Sequence, residues 1–89
     1  MKAVVTVVGK DQVGIIAHVC NHLANFHVNV LDISQTVMQG YFTMMMVVDV
    51  SEANVPLVQL CQRMEEAGKE KNLSIRVQRE DIFEAMHRV

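Results

Sequence analysis

The chain of 89 residues is long enough for one domain, and we expect residues 1–89 to form it. Its hydrophobic fraction of 51% is too high for a disordered chain. The formal net charge of −2 argues against a nucleic-acid partner, because phosphate binding needs clustered lysines and arginines. No apolar stretch resembles a secretion signal or reaches the roughly 20 residues that span a membrane, so we expect a cytoplasmic protein without a membrane partner.

The first two elements differ in the period of their apolar residues. Residues 3–8, AVVTVV, are β-branched and almost wholly apolar, which predicts a central strand buried on both faces or nearly so. Residues 13–26 have helical spacing instead, and Asp11 is a candidate N-cap for this helix. The apolar residues on one side of the helix are Ile15, Ile16, Val19, Cys20, Leu23 and Phe26. The polar residues on the other side are His18, Asn21, His22 and Asn25.

The histidine pair on the polar side of this helix invites a metal-site interpretation. His18 and His22 are one helical turn apart, a spacing that places two imidazoles together. That side of the helix carries no Cys, Asp or Glu, and we expect it to face solvent. Two histidines alone leave half of a tetrahedral zinc shell to water, so we predict no metal site unless a symmetric partner supplies a second pair.

A predicted hairpin follows the first helix. Residues 28–38 are polar at intervals, as expected of an edge strand with one face in water, and Gln39-Gly40 is a turn signal. Residues 41–50, YFTMMMVVDV, predict a second central strand. Its expected faces are Phe42, Met44, Met46 and Val48 on one side, and Tyr41, Thr43, Met45 and Val47 on the other. Because neighbours alternate in this way, the three methionines cannot converge on one metal ion, and we interpret them as core residues.

The second predicted helix opens at Pro56, where a missing N–H costs little. Its inner stripe is Leu57, Leu60, Cys61, Met64 and Ala67. The two cysteines of the sequence, Cys20 and Cys61, each fall in an apolar helical stripe. We therefore interpret both as reduced core thiols.

The last two predicted elements are a strand and a short helix. Residues 73–79 alternate strictly between apolar and polar side chains, which predicts an edge strand. The residues expected to point inward are Leu73, Ile75 and Val77. Residues 80–89 have helical spacing and should pack on the body of the domain through Ile82, Phe83, Met86 and Val89.

The order β-α-β-β-α-β with an added C-terminal helix predicts an α+β, ferredoxin-like fold. Two right-handed β-α-β crossovers give a four-stranded antiparallel sheet with two helices on one face. The two most apolar strands, the first and the third, belong in its centre.

The segment that joins the first strand to the first helix, GKDQVGI at residues 9–15, offers chemistry suited to an amino acid. Free N–H groups at a helix N-terminus attract a carboxylate, and Gly14 lets a ligand approach the backbone closely. Asp11 would receive an ammonium group, or it would simply cap the helix. From the residues alone, a turn without a ligand is the favoured interpretation, and an amino-acid site is the alternative.

The opening of the chain, VVTVVGKDQVGIIAHVCNHLANFHVNVLDISQTV, resembles that of an ACT domain, a small-molecule-sensing module attached to many amino-acid metabolic enzymes. The family pattern is a strand, a G-x-D-[RK]-x-G-[IV] corner, a helix and an N-[IV]-x-D strand start. This chain matches it at Gly9, Asp11, Gly14, Ile15, Asn29, Val30 and Asp32. The tail, IRVQREDIFEAMHRV, looks like the end of the single-domain bacterial and archaeal members. The domain is also similar to those of the glycine-cleavage repressor.

The resemblance implies a homodimer in which the second strands of two subunits pair side by side. An amino acid would lie between the corner of one subunit and the second strand of the other. Carried over to this sequence, the ligand-binding residues are Asp11, Gln12, Val13, Gly14 and, from the partner strand, Asn29. Two departures from the family pattern matter: Val13 stands where proline is common, and His27 where glycine is common, so His27 must tolerate a helix-ending, left-handed conformation.

Two functions compete at this point. The first is a non-catalytic regulatory module that binds an amino acid or a similar small ligand at a homodimer interface and acts on an unidentified regulated protein. The second is an oligomerisation module that binds other protein surfaces and no small molecule. We expect neither a cofactor nor an enzyme activity, because no Cys-His or Ser-His arrangement in the sequence supports catalysis.

Overall fold

The computed structural model describes residues 1–86, with Met86 by its backbone alone. These residues form β1 (Lys2–Lys10), α1 (Ile15–Asn25), β2 (Asn29–Met38), β3 (Tyr41–Asp49), α2 (Leu57–Lys69), β4 (Ser74–Arg79) and α3 (Glu80–Met86). The order of the elements is the predicted one, and most boundaries differ by one or two residues from those expected.

The strands of the described residues form one antiparallel sheet in the order β2-β3-β1-β4. The two most apolar strands, β1 and β3, are central, and β2 and β4 are the edges, as predicted. The register of β1 with β3 runs from Lys2 opposite Asp49 to Lys10 opposite Tyr41. With α1 and α2 on one face of the sheet, this is the predicted ferredoxin-like α+β fold.

The core lies between the sheet and the two long helices. The side chains of β3 that face α1 and α2 are at most 4% exposed: Phe42, Met44, Met46 and Val48. Met45, between two of them, points to the other face and is 41% exposed. The methionines therefore do not converge, and the interpretation as core residues is confirmed for Met44 and Met46 but is wrong for Met45.

The helices α1 and α2 bury most of the predicted stripes, and the fully buried members are Ile15, Val19, Leu23, Leu60, Met64 and Ala67. Ile16 is an exception, with 38% of its surface exposed. The two cysteines, Cys20 and Cys61, are free and half-buried against the core, as expected of reduced core thiols. Burial raises the pKa of the Cys61 thiol, which donates a hydrogen bond to the carbonyl oxygen of Val77.

The face of the sheet turned away from α1 and α2 is only partly covered. The helix α3 lies against β1 and β4, and Val4 on this face of β1 is 4% exposed. Farther along the same strand Val8 is 42% exposed, so the prediction of burial on both faces holds only for the first half of β1. The predicted contacts of the Met86 side chain and of Val89 lie outside the described residues.

The edge strand β2 is more exposed than the sequence predicts. All its residues except Val30 are exposed. Ile33 and Val37 share the helix side of the sheet with their partners on β3, yet they are 41% and 54% exposed. The prediction that only one face of β2 is in water is therefore wrong, because α1 and α2 do not extend over this edge of the sheet.

None of the helices in the described part of the chain has both the length and the apolar content needed to cross a bilayer.

Replacing Leu60 by alanine should lower the free energy of unfolding by about 2–5 kcal/mol, because truncation of a buried leucine leaves a cavity. Leu60 is 0% exposed, whereas Val58 on the same helix is 71% exposed. Val58→Ala is therefore the matched control and should change the free energy by less than about 0.5 kcal/mol. Urea unfolding followed by circular dichroism measures both, and equal losses would contradict the assignment of Leu60 to the core.

Candidate functional site

Residues 9–14, which comprise the last two residues of β1 and the segment that joins it to α1, are called the corner below. Its first residue, Gly9, permits a close approach of the connection between α2 and β4. A Cβ atom on Gly9 would lie 2.5 Å from Cδ2 of Leu73 and 3.3 Å from the carbonyl oxygen of Asn72. Glycine at this position therefore lets the corner pack directly against that connection.

Two hydrogen bonds hold the corner to distant parts of the chain. The N–H of Asp11 donates to the carbonyl oxygen of Gly40 over 2.8 Å, and Nε2 of Gln12 donates to the carbonyl oxygen of Lys71 over 2.9 Å. Gly40 belongs to the turn between β2 and β3, where Gln39 and Gly40 both have positive φ, at 52° and 83°. This confirms the predicted hairpin turn, and it fixes the corner between that turn and the α2–β4 connection.

The start of α1 corrects the predicted cap. The N-cap is Gly14, with φ 87°, and no side chain accepts a hydrogen bond from the first turn. Asp11 lies too early in the chain to cap the helix, so the prediction that it does is wrong. Because α1 also has no acidic residue in its first turn, its leading N–H groups remain suited to a carboxylate.

A hollow of about 610 Å³ lies beside the corner, and its lining residues are Lys10, Gln12, Glu70, Lys71 and Asn72. Of the predicted ligand residues, Gln12 lines this hollow, whereas the side chain of Val13 is fully exposed. Sequence reasoning missed Glu70, Lys71 and Asn72, because they reach the corner only through the fold. Asn72 has φ 57°, so it forms the turn that brings them there.

Asn29 lies at the opposite end of the sheet. It pairs with Asp49, in the row that contains Lys2, whereas the corner lies at the other end of β1, in the row that contains Lys10. Eight residues of β1 separate the two rows, which is about 26 Å at a rise of roughly 3.3 Å per residue. One chain therefore does not bring Asn29 to its own corner.

The surroundings of Asn29 are acidic. A hollow of about 320 Å³ at this end is lined by His27, Asn29, Asp49, Ser51 and Glu52. The hydroxyl and the N–H of Ser51 both donate to Asp49, and these hydrogen bonds lower the pKa of its carboxyl group. His27 has φ 60°, the left-handed conformation that its place after the helix predicts.

The polar side of α1 does not face solvent throughout, which corrects a second prediction. His18 and His22 are both half-buried, and their rings meet edge-on with centroids 4.7 Å apart. Nε2 of His18 lies 2.8 Å from the carbonyl oxygen of Ala67 on α2. The polar side of α1 carries no carboxylate, but the C-cap residue of α2 supplies one. Glu70 has an oxygen within 4.8 Å of a nitrogen of each histidine.

The chain matches the ACT domain over residues 2–78. A UPF0237 protein of Bifidobacterium longum is 51% identical over 88 residues, which cover 99% of this chain and 98% of that protein. The solved structure of an ACT domain protein from Streptococcus pneumoniae has a TM-score of 0.83 and 46% identity, with 98% of both chains covered. A protein described as a glycine cleavage system transcriptional repressor has a TM-score of 0.72 over 88% of this chain and 44% of its own, and its 21% identity shows the fold alone.

Replacing Gly14 by alanine should lower the free energy of unfolding by about 1 kcal/mol, because a side chain disfavours the left-handed conformation. Apart from the two neighbouring residues, no atom lies within 4 Å of the position of the added Cβ, so the loss comes from the backbone conformation. Gly14→Asn is the control and should lose less, since asparagine adopts positive φ more readily. Urea midpoints measure both, and an alanine variant as stable as the parent would contradict the positive φ of Gly14.

Proposed function

Because the chain belongs to the ACT-domain family, we propose that it is a non-catalytic regulatory module that binds an amino acid between two copies of itself. Residues 1–89 would form a single ACT domain of the cytoplasm. Binding would change the affinity of the dimer for an unidentified regulated protein, which carries the output. The observation that carries the proposal is the exposed edge strand β2, which starts at Asn29 and whose pairing with a second copy would bring Asn29 to the corner end of that copy.

The exposed edge of β2 supports the homodimer. Its unpaired N–H and C=O groups can pair with the same strand of a second copy. Ile33 and Val37, which no helix covers in one chain, would then be adjacent to the partner. A domain of this size also buries a limited fraction of its surface alone, and a second subunit adds to that burial.

A two-fold axis between the paired strands would bring Asn29 of one copy to the end of the sheet where the other copy has its corner. Antiparallel pairing of β2 with its copy brings the Asn29 end of one strand to the Met38 end of the other. The Met38 end leads into the turn at Gly40, whose carbonyl oxygen holds the corner through Asp11. This is why Asn29 would act on the partner's corner, although it lies far from the corner of its own chain.

The two hollows match the two charged groups of an amino acid. At the corner, the open N–H groups of α1 and the ammonium groups of Lys10 and Lys71 would attract the carboxylate. At the other end, Glu52 would attract the ammonium group, since Asp49 already pairs with the N-terminal ammonium of Met1 over 3.5 Å, and the amide of Asn29 would orient it. Across the dimer interface the ligand would thus meet a group of opposite charge at each end.

A pure oligomerisation module is the second candidate. The exposure of β2 supports a dimer whether or not a ligand binds, so this observation favours both functions equally. The two are separated by a ligand response, which only the regulatory module would show.

Ile33→Lys should convert the dimer to a monomer. Ile33 lies near the middle of β2, so pairing across a two-fold axis would bring the two introduced ammonium groups close together. Light scattering should return twice the mass of the chain for the parent and the mass of one chain for the variant. Val58→Lys, at an exposed apolar position on α2, is the control and should stay dimeric. A monomeric parent protein at micromolar concentration would contradict the dimer.

At least one of the twenty amino acids should raise the thermal midpoint of the protein by several degrees. A ligand at 100 times its dissociation constant stabilises the folded state by about 2.7 kcal/mol. Asn29→Ala should abolish this shift without changing the midpoint of the free protein, because Asn29 is exposed. Asn21→Ala, an exposed asparagine on α1, is the matched control and should respond like the parent.

The outcomes of this screen separate the two candidates. A shift that survives Asn29→Ala would show that the ligand binds elsewhere. A dimer that responds to none of the amino acids would favour the oligomerisation module.

A further inference from the structure

The junction between α1 and the end of α2 carries a cluster of nitrogen and oxygen ligands. We propose that His18, His22 and Glu70 bind one divalent transition-metal ion, with zinc as the ion that fits best. This site goes beyond the proposed amino-acid binding and does not depend on it. It replaces the expectation of no metal, which assumed that the histidines face solvent and lack a carboxylate.

The three side chains are close enough to share one ion. A nitrogen of each histidine and an oxygen of Glu70 all lie within 4.8 Å of one another. Ligands about 2.1 Å from a tetrahedral zinc ion are about 3.4 Å apart. Rotation of the side chains, chiefly of the exposed Glu70, would close that difference.

The hydrogen bond of His18 sets the tautomer that a metal ligand needs. Nε2 of His18 lies 2.8 Å from the carbonyl oxygen of Ala67. A carbonyl oxygen only accepts, so Nε2 carries the proton and Nδ1 keeps the lone pair. Metal-binding histidines commonly donate their second N–H to a backbone carbonyl in this way, which fixes the ring and raises its basicity.

The electrostatics at the end of α2 favour a cation. Glu70 is the C-cap residue of α2, where the carbonyl groups of the last turn carry partial negative charge and disfavour a carboxylate. Lys69 and Lys71 flank it in the chain, yet Glu70 takes part in none of the ion pairs found within residues 1–86. A bound cation would offset the negative charge of the Glu70 carboxylate, with which neither lysine forms an ion pair.

The donor set selects the ion. Two imidazoles and one carboxylate suit zinc and its neighbours in the first transition row, and they suit calcium and magnesium poorly. Three protein ligands leave a fourth position of a tetrahedral ion to water or to an added ligand. Glu70 also lines the hollow beside the corner, so that position would be close to the proposed amino-acid site.

The test is isothermal titration calorimetry, in which zinc chloride is added to untagged protein that has been treated with EDTA. We expect one zinc ion per chain. Glu70→Gln and His22→Asn should each weaken binding by at least about tenfold, because each removes one of three ligands. The matched controls are Glu66→Gln, exposed one turn earlier on α2, and His27→Asn, exposed and outside the cluster. Both controls should bind zinc like the parent.

Cobalt(II) supplies a second measurement on the same proteins. A tetrahedral site with nitrogen and oxygen ligands should give a visible absorption band that Glu70→Gln removes. Urea midpoints of all variants would establish that they are folded, which Glu70→Gln should be, since its side chain is exposed. Absence of zinc binding by the parent, or equal zinc affinity in the parent and in both ligand variants, would overturn the proposal.

Discussion

The antiparallel register between β1 and β3 decides where the rest of the molecule lies. It places alternate side chains of both strands against α1 and α2, and these form the core. It also puts the corner beside the turn between β2 and β3, where the N–H of Asp11 reaches Gly40. The same register carries Asn29 to the far end of the sheet, next to Asp49. A shift of one residue would turn the buried side chains to the open face and separate the corner from its hydrogen-bond partner.

Local periodicity was sufficient to predict the elements and their order. The alternation in β3 and the helical stripes of α1 and α2 depend on the position of each residue within its own element, and the sequence contains that information. The N-cap of α1 was predicted wrongly, because both Asp11 and Gly14 suit a helix start. Contacts with Gly40 and Lys71 hold the backbone of the corner, and these residues are far away in the sequence.

The environments of β2 and of the histidines also depend on tertiary structure. The residue pattern of β2 carries no information on how far the helices extend over this strand. The exposure of Ile33 could therefore not be predicted from the sequence of β2 alone. A helical wheel places His18 on the side expected to face solvent, but in the structure its Nε2 lies against the carbonyl oxygen of Ala67 on α2. For the candidate site, the resemblance pointed to Gln12, which lines the hollow, but it could not supply Glu70 from the end of α2. The predicted roles of the corner residues and of Asn29 stay predictions.

Glu70 connects the two proposed sites. Its carboxylate lines the hollow beside the corner and also lies next to the histidine pair. A metal ion that draws Glu70 toward His22 would remove a negative charge from the hollow, where an amino-acid carboxylate would lie. Metal and amino acid would then bind with positive coupling, and thermodynamic linkage makes such coupling equal in both directions.

The second edge of the sheet has a consequence for how many copies can assemble. In contrast to β2, β4 is short, Ser74–Arg79, and α3 follows it without a break. Arg76 and Arg79 place positive charge along it, and Arg79 is held by both oxygens of Asp81. Charged, short edges resist strand addition. If two copies pair through β2 as proposed, the blocked second edge would keep the assembly a closed pair, since growth into a filament would require both edges to accept a neighbour.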